Sequence, residues 1–313
     1  MRVFMITPKQ FFASRLIRYA YGKHDRKRDA GQTTPPDIIR FDNILYGSDK
    51  KLKKWQLLDV YRPKAAVASD GSLQKLPVII SVHGGSFVYG DKNRYQFYCM
   101  RLAQRGFAVV NFSYRLAPEV RYFKGIFDTE TVFQWVADNA SQYGFDTENV
   151  FAVGDSAGGH LLGTYIGAVT NKEFGNTLGF IKDKNLTLKA IALNCGKFSL
   201  NEDEPRIKLL RRSLMENGES QETKQFLTVT SHITKNFPPV FVMTCEGDFL
   251  KHDSELMKST LDSIGVRNEY RCYGSSEKPL WHVFHCDPHL QEAVQCNDDE
   301  CSFFRSFISV PNK

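Results

Sequence analysis

Short runs of apolar residues recur along the chain from about residue 40 onward, and longer stretches of helical periodicity separate them. Two runs, residues 78–82 and 240–244, are nearly continuous and mostly β-branched or aromatic. Such runs are typical of strands that are buried on both faces of a parallel sheet. The same pattern predicts further strands at residues 57–61, 107–112, 150–153, 188–193 and 269–273.

Helical patterns lie between these strands, near residues 94–105, 127–141, 157–170, 251–265 and 289–308. Strands that alternate with helices indicate βαβ units. We therefore predict an α/β fold with a mostly parallel central sheet flanked by helices. Residues 197–237 interrupt the rhythm, because they are rich in charge and poor in strand signal. An insertion of this length between two strands often forms a lid or cap over a site.

The first 36 residues have a different character. The segment Thr7-Pro8-Lys9-Gln10 predicts a helix start, with Thr7 as N-cap, proline at the first helical position and glutamine three residues after the cap. Apolar residues follow at helical spacing, with Lys and Arg on the other face. Such a helix can lie on a membrane or pack on its own protein, and we favour the second interpretation.

The composition is that of a folded globular protein. The chain has 313 residues, of which 42% are apolar and 24% charged. No apolar run reaches the roughly 18 residues that a membrane-spanning helix needs. The apolar stretch at residues 3–6 is too short for the core of a secretory signal. We expect no signal peptide and no stable membrane insertion.

Cysteine usage and charge narrow the class further. The seven cysteines are odd in number and scattered, which suits reduced thiols and a cytoplasmic location. The net charge of +6 is modest, and much of it lies in two basic runs, residues 23–28 and 50–54. Neither run is interleaved with aromatic residues, so we expect no nucleic-acid partner.

The clearest chemical signal is the sequence Gly-Asp-Ser-Ala-Gly-Gly at residues 154–159. It follows a predicted strand and opens a predicted helix, which is the context of a G-x-S-x-G nucleophile elbow. Glycines are needed there because bulky neighbours would clash on so tight a turn. The turn lifts the Ser156 hydroxyl out of the sheet and places it at a helix N-terminus, where negative charge is favoured.

A second glycine-rich segment, His83-Gly84-Gly85-Ser86, directly follows a buried strand. Consecutive glycines allow backbone N–H groups to face a bound oxygen without interference from side chains. Together with the N–H of Ala157, these groups are candidate donors to an oxyanion. For His83 itself we favour a structural role, in which the ring hydrogen-bonds its own loop.

A serine nucleophile needs a base, and the base needs an acid to orient it. Asp248 follows the strand predicted at residues 240–244, at the strand end where catalytic groups of open α/β sheets collect. The loop after the next strand carries His282, which completes the order Ser156, Asp248, His282 expected for this architecture. Glu246 and Asp253 remain alternatives for the acid, and His285 remains an alternative for the base.

A cluster of His and Cys residues also deserves comparison with metal sites. His282, His285, Cys286 and His289 lie close together in the sequence. Structural zinc sites usually show two paired spacings such as C-x-x-C, and no two cysteines of this chain have that spacing. We therefore predict no metal and no cofactor.

Together these motifs resemble the α/β-hydrolase superfamily, and within it the hormone-sensitive-lipase-like esterases. The resemblance spans about residues 56–285 and includes Tyr-Arg-Leu-Ala-Pro-Glu at residues 114–119. The segment at residues 58–63 resembles the subset that contains acetyl esterases and kynurenine-formamidase-like enzymes.

The family resemblance implies roles for individual residues. Ser156 would be the nucleophile, His282 the general base and Asp248 its orienting acid, and the oxyanion-hole N–H groups would come from Gly84, Gly85 and Ala157. Asp128 would brace the loop at residues 114–119. Residues 1–36 and the insertion at about 197–237 would form a cap on a catalytic domain at residues 37–313. Ser86 replaces a third glycine found in many members, which limits the room for bulky tertiary alcohols.

The expected function is that of a serine hydrolase that cleaves carboxylic esters, with short-chain acyl or acetyl esters as substrates. An arylformamidase or amidase on the same triad is an alternative, because the acyl-enzyme chemistry is shared. A non-catalytic ligand-binding homologue is a further alternative. The expected partner is a small-molecule ester, and the sequence is also compatible with a homodimer.

Overall fold

The computed structural model of the protein describes residues 7–49, 51, 53–179 and 186–308. The apolar stretch at residues 3–6 and parts of the basic run at residues 50–54 lie outside these ranges. Eight strands form one sheet in the order β1-β2-β4-β3-β5-β6-β7-β8. The strands are β1 (Ile38–Leu45), β2 (Leu57–Pro63), β3 (Leu76–Val82), β4 (Ala108–Phe112), β5 (Phe145–Asp155), β6 (Leu188–Asn194), β7 (Val240–Cys245) and β8 (Asn268–Tyr273).

The sheet is mostly parallel, which confirms the predicted fold class. Strand β2 pairs antiparallel with both β1 and β4, and the pairings from β4 through β8 are parallel. The helices are α1 (Pro8–Arg28), α2 (Lys92–Gln104), α3 (Tyr122–Asp138), α4 (Ala140–Tyr143), α5 (Ala157–Thr170), α6 (Lys172–Leu178), α7 (Pro205–Leu214), α8 (Gln221–Phe226), α9 (Lys251–Ile264) and α10 (Gln291–Arg305).

Alternation along the strands divides the core into two layers. On β3, Val78 and Ile80 pack in one layer with residues of α3, α5 and α9, whereas Ile79 packs in the other with residues of α2 and α10. Both faces of the central strands are therefore buried, as their continuous apolar runs predicted. Because β3 to β8 run parallel, their C-terminal ends lie at one edge of the sheet, and the loops that follow them meet there.

Some elements were absent from the sequence prediction or differ from it. Strand β1 was not predicted, because it is an edge strand with a half-exposed, charged sequence and an irregularity between Phe41 and Ile44. Helix α3 begins at Tyr122, earlier than predicted, and its N-cap Arg121 makes no side-chain capping bond that a sequence signal could reveal. The short helices α4, α6 and α8 were also not predicted.

Helix α1 starts as predicted and packs on its own protein, mainly by small and polar residues. The Thr7 hydroxyl accepts a bond from the Gln10 N–H at 3.3 Å, and the Gln10 side chain accepts one from the Thr7 N–H at 2.9 Å. The buried positions of the helix are Gln10, Ser14 and Gly22, while most of its large apolar side chains are exposed and Ile17 packs partly buried against the core. Polar side chains thus attach the helix to the rest of the molecule.

The insertion at residues 197–237 contains the helices α7 and α8 and no strand among its described residues. Its residues Leu200, Leu214 and Leu227 are buried in the same core layer as α3 and α5. The insertion also contacts α1, because the Gln10 amide donates to the Arg212 carbonyl at 3.1 Å. The two segments predicted to form a cap therefore touch.

Candidate active site

The turn between β5 and α5 carries Ser156 in a conformation that few non-glycine residues adopt, with φ +52° and ψ −118°. The neighbouring glycines leave room for this turn. A Cβ atom on Gly158 would lie 2.1 Å from the Val82 carbonyl oxygen, and one on Gly154 would lie 2.7 Å from the Gly158 carbonyl oxygen. The Ser156 N–H donates to the Asn194 carbonyl of β6 at 3.0 Å. The geometry is that of the predicted strand-to-helix elbow.

His282 and Asp248 lie beside this serine. The Nε2 atom of His282 is 3.0 Å from the Ser156 Oγ, and its Nδ1 atom is 2.8 Å from the Asp248 Oδ1. With a proton on Nδ1, the ring donates to the carboxylate and presents the Nε2 lone pair to the serine hydroxyl. The arrangement can take a proton from the serine and hold the resulting imidazolium beside a negative charge.

The Asp248 carboxylate is held from several directions. It accepts bonds from the Thr244 hydroxyl at 2.9 Å and from the Leu250 N–H at 2.9 Å, in addition to the bond from His282. Burial raises the pKa of Asp248, but the bonds from His282 and Leu250 outweigh burial and hold that pKa below its ordinary value. The carboxylate therefore stays ionised at neutral pH and keeps one position relative to the ring.

The alternative acids and the alternative base lie elsewhere. The exposed Glu246 carboxylate pairs with Lys251 at 2.9 Å. Asp253 accepts bonds from the Lys197 ammonium group at 3.1 Å and from the Phe198 N–H at 3.0 Å. The ring of His285 is buried and packs edge-on against Tyr98, and burial lowers its pKa to about 3. The structure brings none of these three to the Ser156 hydroxyl.

The glycine-rich loop after β3 approaches the same turn. Gly85 has φ +122°, and a Cβ atom there would lie 2.2 Å from the Tyr89 carbonyl oxygen, so only glycine fits. Within the described residues, neither Gly84 nor Gly85 donates its N–H to another backbone group. These donors, with the N–H of Ala157 at the start of α5, are candidates to bind a developing oxyanion.

His83 has the structural role favoured from the sequence. Its Nδ1 atom donates to the Gly84 carbonyl at 2.8 Å, and its ring stacks on Tyr114 with centroids 4.1 Å apart. Burial lowers the pKa of His83 to about 4, so the ring is neutral. Asp128 likewise braces its loop, because its carboxylate accepts bonds from the backbone N–H and the guanidinium group of Arg115.

A cavity of about 290 Å³ adjoins Ser156 and His282. One side consists of the turn at Ser156 and of the loops that carry residues 84–86 and His282. The other side, which we call the α1 wall, consists of the α1 residues Ala20, Tyr21, His24, Asp25 and Arg28. Within the described ranges, no residue of the insertion at 197–237 lines this cavity. The sequence predicts α1 as part of a cap but does not reveal these side chains, because nothing in the local pattern shows which face of a helix meets a cavity.

Several polar side chains line the cavity within a mostly apolar surface. Asp25 accepts a bond from the Tyr89 hydroxyl at 2.7 Å and lies 3.4 Å from the Arg28 guanidinium group. Behind Ser156, the Asp155 carboxyl accepts a bond from the Tyr95 hydroxyl at 2.5 Å. Burial raises the pKa of Asp155 to about 7. The cavity beside Ser156 thus contains hydrogen-bonding groups of both signs within a mostly apolar lining.

Two groups in the described part of the chain bring three metal-ligating atoms within 4.8 Å of one another. One is Cys195, Asp248 and His282, which includes two of the candidate catalytic residues, and the other is the buried set Asp155, His285 and Cys286. The sequence cluster around residue 285 is therefore divided: His282 faces Ser156, and His289 is an exposed residue 3.4 Å from the Gln32 amide. All seven cysteines have free thiols.

The chain matches the model of a known protein family. Residues 58–261, which include Ser156 and Asp248, match the family model described as BD-FAE. The chain belongs to the BD-FAE family of α/β-hydrolases. The resemblance to hormone-sensitive-lipase-like esterases that the motifs indicated is thereby confirmed.

Two relatives of this chain are named as esterases. The chain is 25% identical to an acetyl esterase of Salmonella choleraesuis over 249 residues, which cover 74% of this chain and 72% of that protein. It is 29% identical to a versiconal hemiacetal acetate esterase of Dothistroma septosporum over 239 residues, which cover 68% and 69% of the two chains. These relatives confirm that this BD-FAE protein is a carboxylic-ester hydrolase.

Solved structures confirm the fold. Esterase B of Lactobacillus rhamnosis, inhibited by a tributyrin phosphonate, matches with a TM-score of 0.86 and 24% identity, covering 97% of this chain and 96% of that one. The carboxylesterase EstE1, cloned from a metagenomic library, matches with a TM-score of 0.73 and 22% identity, covering 95% and 98%. The α/β-hydrolase fold predicted from the sequence is confirmed. Within the described residues, no helix is both long enough and apolar enough to cross a membrane.

Proposed function

We propose that this BD-FAE esterase hydrolyses short-chain acyl esters, acetyl esters among them, through Ser156, His282 and Asp248. The observation that carries the proposal is the chain of two hydrogen-bond distances from the Ser156 Oγ through the His282 ring to the Asp248 carboxylate, at 3.0 Å and 2.8 Å. The serine stands on a strained elbow at a helix N-terminus, which is where an acyl-transfer nucleophile is expected.

In the first half of the reaction, the Ser156 oxygen attacks the acyl carbonyl carbon while His282 Nε2 takes the hydroxyl proton. The carbonyl oxygen becomes an oxyanion and accepts bonds from the N–H groups of Gly84, Gly85 and Ala157. The tetrahedral intermediate then collapses, the bond to the alcohol oxygen breaks, and His282 gives its proton to the leaving alcohol. The product on the protein is an ester of Ser156.

In the second half, water attacks the acyl-enzyme. His282 takes a proton from the water as its oxygen bonds to the acyl carbon, and the same N–H groups bind the second oxyanion. The bond to the Ser156 oxygen breaks, the proton returns to that oxygen, and the acid leaves. Throughout, the Asp248 carboxylate fixes the ring orientation and stabilises the imidazolium form.

The size of the cavity supports a short acyl group. The volume of about 290 Å³ lies near the lower end of small-molecule sites. The acetyl esters in the names of the two relatives point the same way. Hydrolysis rates for p-nitrophenyl esters from acetyl to palmitoyl should fall with length, and a maximum among the long chains would contradict the assignment.

We further propose that residues 1–36 and 197–237 together form the cap of a catalytic domain at residues 37–313. The bond from Gln10 to the Arg212 carbonyl links the two parts, and α1 forms one side of the cavity. The insertion acts behind α1 rather than on the substrate. Ser86, whose hydroxyl lies 3.4 Å from that of Tyr21, narrows the space where a third glycine would leave it open.

The decisive experiment is Ser156→Ala, assayed with p-nitrophenyl acetate. Because triad residues act as a unit, kcat should fall by about 10⁴–10⁶-fold, and labelling by a fluorophosphonate probe should disappear. Ser231→Ala is the matched control, since it makes the same change at an exposed serine of the insertion, which does not line the cavity. A kcat for Ser156→Ala within about tenfold of the parent would refute the nucleophile assignment.

A further inference from the structure

The outward side of helix α1 combines exposed apolar side chains with exposed cations. Phe12, Leu16 and Tyr19 follow one another at helical spacing and are 70%, 69% and 67% exposed. The exposed basic residues of the helix are Lys9, Arg15, Lys23, Arg26 and Lys27. We call these eight residues the outer α1 face.

The charged residues of this helix are almost all basic. Between Pro8 and Arg28 the sequence has seven Lys or Arg residues and one acidic residue, a surplus equal to the net charge of +6 of the whole chain. The one acidic residue, Asp25, faces inward and accepts a bond from the Tyr89 hydroxyl. The cations of the outer α1 face thus have no acidic neighbour on their own helix.

The helix is attached firmly by its other side. Arg18 donates to the carbonyl oxygens of Val88 at 2.7 Å and Ala117 at 3.2 Å, and its guanidinium group pairs with Glu119 at 2.6 Å. Arg28 donates to the Arg94 carbonyl at 2.6 Å. These bonds present the outer α1 face to the surroundings, so the exposure of its apolar residues is a feature of the folded protein.

We propose that the outer α1 face binds the surface of an anionic lipid bilayer. A helix that lies in the interface inserts aromatic and aliphatic side chains among the acyl chains while its Lys and Arg side chains contact acidic head groups. A second copy of this chain is a poorer partner, because joining two such faces would bring their cations together. A nucleic acid would match the charge but would leave Leu16 without an apolar environment.

Binding by this face would place the cavity near the membrane surface. Ala20 and His24, both exposed, belong to the α1 wall of the cavity and adjoin the outer α1 face around the helix. Phe249, which lines the cavity and is 67% exposed, packs on the His282 ring with centroids 4.4 Å apart. Amphiphilic esters held in a bilayer would then have a short path to Ser156.

The test is co-sedimentation of the full-length protein with vesicles of phosphatidylcholine containing about 30 mol% phosphatidylserine, with pure phosphatidylcholine vesicles alongside. We expect binding to the anionic vesicles and its loss at about 0.5 M salt, where charges are strongly screened. Lys23→Glu with Lys27→Glu should weaken partitioning by at least about 25-fold, since each cation near such a surface contributes about fivefold. Phe12→Ser with Leu16→Ser should weaken it by about tenfold or more.

The matched control is Lys75→Glu with Lys235→Glu, which makes the same change in charge at two exposed lysines. They precede β3 and β7, at the end of the sheet opposite the cavity. This control should retain vesicle binding, and all variants should hydrolyse p-nitrophenyl acetate as the parent does, which shows that they are folded. Absence of binding to the anionic vesicles, or equal losses in the control and the α1 variants, would overturn the proposal. If the protein bound an oligonucleotide and not the vesicles, the proposal would also be wrong. The same holds if the parent did not bind vesicles but formed a dimer that Phe12→Ser with Leu16→Ser converts to a monomer.

Discussion

The two sides of the cavity are built in different ways. One side carries Ser156 and His282, and we call it the catalytic side after the role proposed for them. It is part of the backbone framework: Ser156 stands on a turn between β5 and α5, and His282 precedes Val283, whose φ of +57° is rare for a β-branched residue. The α1 wall belongs to a helix that forms no strand pairing with the sheet and is attached by side-chain bonds such as that from Tyr89 to Asp25. Backbone structure therefore fixes the catalytic side of the cavity, whereas side-chain hydrogen bonds fix the α1 wall.

This difference follows from what each side must do. Acyl transfer needs the nucleophile, base and oxyanion donors in place to within a fraction of an ångström, and a strained backbone fixed by buried strands provides that precision. A wall that selects substrates or contacts a surface tolerates small displacements. Changes on the catalytic side should therefore remove chemistry, whereas changes that loosen α1 should leave the chemistry largely intact.

The largest effect is expected at the histidine that faces the serine. His282→Gln should lower kcat for p-nitrophenyl acetate by about 10⁴–10⁶-fold, because no other described group lies within bonding distance of the Ser156 hydroxyl to take its proton. His285→Gln is the matched control, at a buried histidine in the same loop, and its folded fraction should retain activity. The opposite outcome would make His285 the base.

Asp248→Asn should have the next largest effect, about 10³–10⁴-fold on kcat, because an amide can neither fix the ring tautomer nor stabilise the imidazolium. Since hydrogen bonds hold the pKa of Asp248 below its ordinary value, the parent should keep this carboxylate ionised through mildly acidic pH. Glu246→Gln and Asp253→Asn serve as controls in the same assay. A large loss of kcat in either control, with Asp248→Asn active, would move the acid to that residue.

The buried residues that hold the turn at Ser156 should make the free energy of unfolding depend on pH. Glu300 accepts a bond from the Asn194 amide at 2.6 Å, and the Asn194 carbonyl holds the Ser156 N–H. Burial raises the pKa of Glu300 from its ordinary value of 4.5 to about 7. The folded protein therefore keeps a proton that the unfolded chain loses between these values, so stability falls as pH rises through that window.

Glu300→Gln removes this titration. Urea unfolding at about pH 5 and pH 8 should show that the parent loses about 2–3 kcal/mol more than the variant between the two conditions. Equal losses in the two proteins would show that Glu300 does not titrate in this window. Activity per folded molecule is the companion measurement, and it should change little, because Glu300 does not line the cavity.

The smallest effect on chemistry is expected from loosening α1. Arg18→Leu leaves the Val88 and Ala117 carbonyls without this donor and breaks the pair with Glu119. Cleavage of α1 by trypsin should become about tenfold faster, while kcat for p-nitrophenyl acetate should change by less than about threefold. Arg15→Leu also removes one trypsin site from α1 but breaks no bond to the backbone. It should leave both the rate of cleavage and kcat close to those of the parent. A collapse of kcat in Arg18→Leu would show that α1 positions the catalytic side.

Short-range features of this protein followed from the sequence by itself. The elbow at residues 154–159, the alternation of strands and helices and the capping box at Thr7 were all predictable, because each depends on residues a few positions apart whose backbone preferences act locally. The same reasoning located Gly84 and Gly85 after a buried strand and Asp248 at the end of another. Strand β1 and the start of α3 escaped it, since an edge strand and an uncapped helix carry little local signal.

Only the tertiary structure decided which distant side chains meet. Ser156 and His282 are 126 residues apart, and the order of parallel strands brings their loops to one edge of the sheet. Within the loop after β8, His282 faces the serine, whereas the ring of His285, three positions later, is buried against Tyr98. The tertiary structure also decided which face of α1 contacts the protein. Polar side chains such as that of Arg18 attach the helix, so Phe12 and Leu16 face outward. Local patterns fix which elements form, but burial and hydrogen bonding over the whole chain fix which of their faces meet.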